Sequence, residues 1–329
     1  MRQIALLASD SSHLPLLTVF KESGVTQKYG FEIELDVVGG AKAPTMAHRT
    51  SLIFAGEIDF VSGLHHETYR ARSRGDKRLV YLAQTQNRWD DRLVAAPDVD
   101  GVQDLRGRKI VCHSKAPCVV GNFTTILKQF GFRDDEIRVQ PIESMAADRR
   151  SYVDRVVAGK ASAALVDMPF DLYGKNSGLK IIDLPDRPVI HNTTILTTTD
   201  YIRENRNNVI DFLKALIETI HFFKTNPTQV AAILQKNLTA YFGLNEEQYY
   251  QHLQKEWAKL LLIKPYPLPA AIQNVYELDV AKDPNMARVA PLEPWDLHYL
   301  REIDDSGFID ELYGTQAPGS SLQKSLAGC

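Results

Sequence analysis

The sequence predicts an α/β protein of two lobes with a helical C-terminal region. Over the first 190 residues, short apolar or alternating segments of strand length are interleaved with segments of helical periodicity. This is the rhythm of βαβ units and a mostly parallel sheet with helices on its faces. The rhythm runs to about residue 90 and then begins again in a second unit. Beyond Asp200 it gives way to long helical periodicity.

In the first unit Ile4–Ala8 reads as a buried strand, followed by the polar loop Ser9–His13. Leu14–Ser23 has helical spacing, with Pro15 tolerated in its first turn. Phe31–Val38 alternates as a strand and stops at Gly39-Gly40; Pro44–Ala55 is a helix ended by Gly56. Strand Ile58–Val61, helix His65–Arg74 and strand Leu79–Gln84 complete the unit.

The second unit opens with strand Leu93–Ala96 and the turn-forming stretch Val102–Leu105. Strand Lys109–Cys112, loop Ser114–Cys118 and helix Val119–Phe130 follow. Arg138–Pro141 is a strand, Ser144–Ala158 a helix, and Ala161–Val166 a strand opening onto Asp167-Met168-Pro169. Leu179–Asp183 and Val189–Thr197 complete this unit or return the chain to the first.

Val209–Thr225, Pro227–Leu238, Glu246–Leu262, Ala270–Leu278 and Leu297–Ser306 then read as helices, with a short terminal piece Phe308–Tyr313. They are expected to pack on the first lobe. Lys264–Pro269 is stiff and extended, because each proline fixes φ and disfavours helix before it. The tail 315–329, rich in Gly, Ser and Gln, is expected to be disordered.

The chain of 329 residues is long enough for two cores, and 44% apolar with 24% charged residues is an ordinary globular composition. Lys and Arg number 38 against 41 Asp and Glu, with no basic block, so nucleic acid is not an expected partner. Runs such as Ala161–Val166 and Ala258–Ile263 are far too short for a membrane span. The N-terminus reads as a first strand and makes a poor signal peptide. The expected location is therefore cytoplasmic as the sequence stands, or periplasmic where a signal segment has been removed. Cys112, Cys118 and Cys329 make no disulfide scaffold. Cys112, His113 and Cys118 lack the further ligands a tetrahedral metal site needs, so neither a metal nor another cofactor is expected.

Several stretches together carry a family likeness: Gly56-Glu57-Ile58-Asp59, Asp104-Leu105-Arg106-Gly107-Arg108-Lys109-Ile110, Ala158-Gly159-Lys160-Ala161-Ser162-Ala163-Ala164, and Phe212–Thr225 with Asn226-Pro227. By their order and spacing the chain resembles the type 2 periplasmic-binding-protein superfamily over roughly residues 1–314. The branch it resembles is that of the nitrate, sulfonate and taurine binding proteins and the thiamine-pyrimidine-precursor group. The resemblance implies a two-lobed type 2 clamshell. The first lobe is 1–90 plus 191–314, and 91–190 is the inserted second lobe.

Most members look like solute receptors for ABC transporters, which makes a permease the implied partner of an exported form. Some soluble relatives are decarboxylases, desulfinases or pyrimidine synthases, so fold alone does not decide function. In the resembling pyrimidine synthases a histidine in the loop after the third strand carries the chemistry, which points to His66. Their cysteine cluster is replaced here by His191-Asn192-Thr193-Thr194, which argues against that reaction. Desulfinase relatives place an essential cysteine in the first cleft loop, and here that loop is Ser9-Asp10-Ser11-Ser12-His13.

In an open α/β sheet, ligands meet the loops at the C-terminal ends of strands. By that rule Ser9–His13, Gly39–Pro44, Ser62–His66, Thr85–Arg88, His113–Cys118 and Asp167–Phe170 face the cleft. Helix-start N–H groups there suit an anion. Gly40 lies in one of these loops, and Ser11, Ser12, Ser62, Thr85 and Ser114 read either as hydroxyl donors or as helix caps. His13 lies in the first loop. Of the adjacent His65 and His66, one is expected to face the cleft, as an anion-orienting or proton-transferring group or as a structural one.

Cys118 near a helix start reads either as a packing residue or as an activated thiol. Arg88 is the expected bidentate anchor for a carboxylate or sulfonate, with Lys115 a looser charge, Trp89 a cover for an aromatic ligand, and Asp167 a partner for Arg88 or an ammonium. The functional expectation is a small-molecule binding protein closing on an organic anion. The alternative is a cytoplasmic lyase of decarboxylase or desulfinase type, acting on an aromatic or heterocyclic acid through His65, His66 and Cys118.

Overall fold

The computed structural model describes residues 1–38, 42–45, 48–112, 117–141, 149–190 and 193–314. Gly40, His113, Ser114, Lys115, His191, Asn192, the expected start of the helix at 144 and the tail 315–329 lie outside the described residues.

The chain runs β1 (Arg2–Ala8), α1 (Leu14–Glu22), β2 (Phe31–Val37), α2 (His48–Phe54), β3 (Phe60–Ser62), α3 (His65–Ser73) and β4 (Leu79–Gln84). The second unit follows as β5 (Arg92–Ala95), β6 (Lys109–Cys112), α4 (Asn122–Gln129), β7 (Arg138–Pro141), α5 (Arg150–Val157), β8 (Ala163–Val166), α6 (Phe170–Asn176) and β9 (Lys180–Ile182). Strand β10 (Thr194–Thr198) precedes helices α7 (Thr199–Glu204), α8 (Arg206–Thr225), α9 (Pro227–Phe242), α10 (Glu247–Leu260), α11 (Pro269–Lys282), α12 (His298–Asp305) and α13 (Phe308–Leu312).

There are two five-stranded sheets, ordered β2-β1-β3-β10-β4 and β7-β6-β8-β5-β9. With the C-terminal helices this is the type 2 periplasmic-binding-protein architecture. Each sheet is mixed, where the sequence rhythm predicts a mostly parallel one. β1 pairs in parallel with β2 and β3, but β10 runs antiparallel to β3 and β4. Likewise β6 is parallel to β7 and β8, while β5 is antiparallel to β8 and β9. The reversed strands are those on which the chain enters one sheet after leaving the other, so no crossover helix fixes their direction.

Two short helices escape the sequence reading. α6 contains Gly174 and Asn176, both poor helix formers. Gly174 is needed there, since a Cβ would meet Val94 Cγ1 at 3.0 Å. α7 is capped by the Thr198 side chain, which accepts from Tyr201 N–H, and is too short for a period to register.

The helical region packs on both lobes, not on the first alone. α8 and α9 lie on α1, α10 also reaches α6, and α11 packs on α3 and on the turn Pro117–Gly121. The buried face Ala271, Ile272 and Val275 of α11 shares a core with Val119, Phe123 and Ile126 of the second unit. Burial of apolar area from both sides drives this bridging.

Candidate functional site

The loops after β1 and β3 are locked together at the floor of the first lobe. Ser9 N–H donates to Ser62 C=O at 3.0 Å, and His13 Nδ1 meets Ser62 Oγ at 2.8 Å. Between them Gly63 has φ +116°, and a Cβ there would lie 1.8 Å from Ser9 Oγ and 3.1 Å from His13 Cε1. No other residue type fits without moving the loop. Leu64 continues the turn in the left-handed region at φ 58°, a strained choice for a branched side chain, and it aims α3 with His65 and His66 in its first turn.

His65 Nδ1 is 3.0 Å from Thr194 Oγ1, whose hydroxyl donates to Gln84 Oε1, and Gln84 Nε2 donates to the Gln86 carbonyl at 2.5 Å. Since Thr194 has one proton and spends it on Gln84, His65 Nδ1 is the donor to Thr194. His13 and His65 lie nearly parallel, with ring centroids 6.4 Å apart. All five side chains (His13, Ser62, His65, Gln84, Thr194) are buried.

Arg149, just ahead of α5, joins the two lobes. Its Nη2 donates to Asp10 Oδ1 of the first lobe at 2.6 Å, and its Nη1 donates to Asp167 Oδ2 at the end of β8. The guanidinium is only 6% exposed, against 46% for the Asp10 side chain. The bridge shows that the strand ends of the two lobes face each other. Two buried polar atoms beside it, Ser11 Oγ and Asp167 Oδ1, have no hydrogen-bond partner among the described residues.

A second polar group forms where α3, α11 and the turn before α4 converge. His66 Nδ1 is 2.5 Å from Asp279 Oδ1, and Cys118 lies in the electrostatic field of the same imidazole. Burial disfavours charge on His66, but the hydrogen bond to Asp279 and the neighbouring Cys118 outweigh it and raise its pKa to about 10. Arg49 of α2 lies in the field of Cys118 and pairs with Glu67 at 3.5 Å; burial lowers its pKa. Among the described residues no group of three or more His, Cys, Asp or Glu is placed to hold a metal ion.

Of the residues singled out by sequence, Ser11, Ser12, His13, Ser62, His65 and Asp167 fall on the facing strand ends, and His66 and Cys118 fall together beside them. Ser12 N–H is capped by Asp10 Oδ1 at 2.9 Å. Thr85 bonds to Thr193. Arg88 does not stand inside the cleft: its side chain is 56% exposed and pairs with Asp186 on the surface. Its backbone forms an isolated antiparallel bridge with Pro188. Asp167 is accordingly the partner of Arg149, not of Arg88. Trp89 is buried against Phe123, centroids 6.3 Å apart, as a core residue.

Sequence reasoning missed Arg149, Gln84, Thr194 and Asp279. The strand-end rule, applied also after β7, points to the segment leading to Arg149. Asp279 carried a fainter signal, an acid continuing the Ile272–Val275 apolar stripe at helical spacing.

A family model described as NMT1/THI5 like matches residues 31–231. No curated protein matches by sequence. Among solved structures, a protein of Bordetella bronchiseptica RB50 is similar at TM-score 0.68 and 16% identity, covering 96% of this chain and 99% of that one. A putative sulfonate ABC transporter's periplasmic sulfonate-binding protein from Methylobacillus flagellatus KT has TM-score 0.64 and 14% identity, covering 94% and 96%. A mutant of DSZB, a desulfurization enzyme, in complex with biphenyl-2-sulfinic acid has TM-score 0.64 and 14% identity, covering 93% and 100%.

Proposed function

This chain belongs to the NMT1/THI5-like family, and on that premise we propose that it is a receptor-like binding protein that closes its two lobes around an organic carboxylate or sulfonate. One observation carries the reading: the buried Arg149 guanidinium reaches across the lobes to Asp10. A ligand carboxylate or sulfonate presents the same oxygens as Asp10 and can take its place on the planar fork. Asp10 is the more exposed partner and can swing into water, whereas Asp167 keeps Arg149 aimed. Ser11 Oγ is then a hydroxyl donor beside the anion, and His13 and His65 form the polar wall. Closure excludes water and strengthens each of these bonds.

Sulfonates and sulfinates, named with two of the structural neighbours, are the first anions to test. A melting-temperature screen of aliphatic and aromatic sulfonates, sulfinates and carboxylates should give a saturable rise for at least one class in the wild type, and none in Arg149→Ala. An equal rise in both proteins would contradict the role given to Arg149.

A second reading, a lyase acting on an aromatic or heterocyclic acid, is favoured by His66. The raised pKa keeps this imidazole protonated at neutral pH, so a proton is present to be given to a carbon losing carbon dioxide or sulfite. Release of sulfite or carbon dioxide from the acid that raises the melting temperature separates a lyase from a receptor.

A further inference from the structure

We propose that Asp167 makes the interlobe site selective for singly charged anions, admitting sulfonates and carboxylates and turning away doubly charged phosphonates. The inference rests on the proposed seating of a ligand oxyanion at Arg149 and adds a rule of charge to it. Arg149 does not present its whole charge to a ligand. Its Nη1 donates to Asp167 Oδ2, and the two side chains are only 6% and 13% exposed, so water screens the pair weakly. The other edge, Nη2, is held by Asp10 Oδ1 at 2.6 Å, and that same oxygen accepts the Ser12 N–H at 2.9 Å. A ligand oxygen that replaces Asp10 Oδ1 inherits these two donors, with the Ser11 hydroxyl as a third beside them. It brings one negative charge where one has left, and the balance at Arg149 is unchanged.

A second charge on the same headgroup meets the opposite conditions. Asp167 Oδ1 is buried and has no hydrogen-bond partner among the described residues, so no donor there softens the carboxylate's charge. Asp167 follows Val166, and the buried Asp91 precedes Arg92. Val166 and Arg92 are paired in the antiparallel ladder of β8 and β5, which sets the two acids at the same end of neighbouring strands. With Arg149 matched by Asp167, a second ligand charge meets the field of Asp91 and of the displaced Asp10, both negative. His13 and His65 in the first-lobe wall are the other titratable groups described around this seat. Neutralising Asp167 leaves Arg149 a full positive charge for the ligand, and the bar to a second charge falls.

Sulfonates and phosphonates of the same organic group share a tetrahedral, three-oxygen head and differ in charge, which makes them the probes. A phosphonate, like a phosphate, gives up its second proton near neutrality, whereas a sulfonate keeps a single charge throughout. Matched pairs built on methyl, ethyl, phenyl and biphenyl groups are titrated by calorimetry into wild type, Asp167→Asn and Arg149→Ala, at about pH 8.5 and about pH 5.5. The sulfonate of each pair reports any change in the protein itself between the two conditions.

The wild type should prefer each sulfonate it binds over the matching phosphonate by at least about tenfold at the higher pH, and by about threefold or less at the lower. Asp167→Asn should weaken the sulfonate, because Arg149 is aimed less well, yet cut the preference at the higher pH by at least about fivefold. An Asp167 that served structure alone would weaken both ligands equally and leave their ratio unmoved. Equal wild-type affinity for both at the higher pH, a preference that does not shrink at the lower, or an unmoved ratio in folded Asp167→Asn each overturns the charge rule and leaves the seat at Arg149 standing. The first two need no variant, so a misfolded Asp167→Asn does not shelter the proposal. If no pair binds the wild type, or Arg149→Ala binds as tightly, the seat itself falls and the charge rule with it.

Discussion

His66 Nδ1 and Asp279 Oδ1 lie 2.5 Å apart, joining α3 of the first lobe to α11 across 213 residues of sequence. The carboxylate is 2% exposed on its side chain and the imidazole 15%. Removing the histidine leaves a buried carboxylate without its cation, so His66→Ala should cost about 3–5 kcal/mol in urea unfolding.

The same pair sets a pH dependence. Burial works against the charged ring, but Asp279 and Cys118 prevail and raise its pKa in the folded chain from 6.5 to about 10. A proton bound more tightly in the folded state stabilises that state. The contribution is full below about pH 6.5 and is lost as pH rises through about 10. The melting temperature of the wild type should therefore fall across that window, and His66→Gln should flatten the fall. An unchanged slope in the variant would show that His66 is not the group responsible.

Gly63→Ala should destabilise the protein by about 2 kcal/mol or more, since it meets both a left-handed φ and Ser9 Oγ. Because the turn it forms aims both histidines, the variant should also weaken whatever anion the cleft binds. Equilibrium unfolding and the melting-temperature screen check the two effects separately.

Arg88→Ala should change stability by less than about 1 kcal/mol, as an exposed pair with Asp186 contributes little. It should also leave anion binding intact. A large loss of binding would return Arg88 to the site.

The alternating rhythm of strands and helices was legible because buried β1 and β4 and amphipathic helices such as α4 write their period directly into the chain. The direction of β5 and β10 was not, since strand polarity depends on which sheet the chain enters, and no local period encodes that. The loops holding His13, Ser62 and His65 were found by a rule about strand ends. Arg149 and Asp279 needed three dimensions: each acts on a residue more than 100 positions away, Asp10 and His66, and nothing in either neighbourhood announces a partner. Arg88 misled because an arginine at a chain crossing is equally suited to the cleft or to a surface carboxylate, and the exposed Asp186 decides the matter.

The most direct test of the account is calorimetric titration of the anion that most raises the melting temperature into wild type, Arg149→Lys and Arg149→Ala. Loss of a buried guanidinium–anion contact costs roughly 2–5 kcal/mol, or about 30-fold to several-thousand-fold in affinity. Arg149→Ala is predicted to lose that much and Arg149→Lys to recover only part of it, because an ammonium lacks the planar fork. Undiminished affinity in a folded Arg149→Ala protein would contradict the claim that the anion is held between the lobes by Arg149.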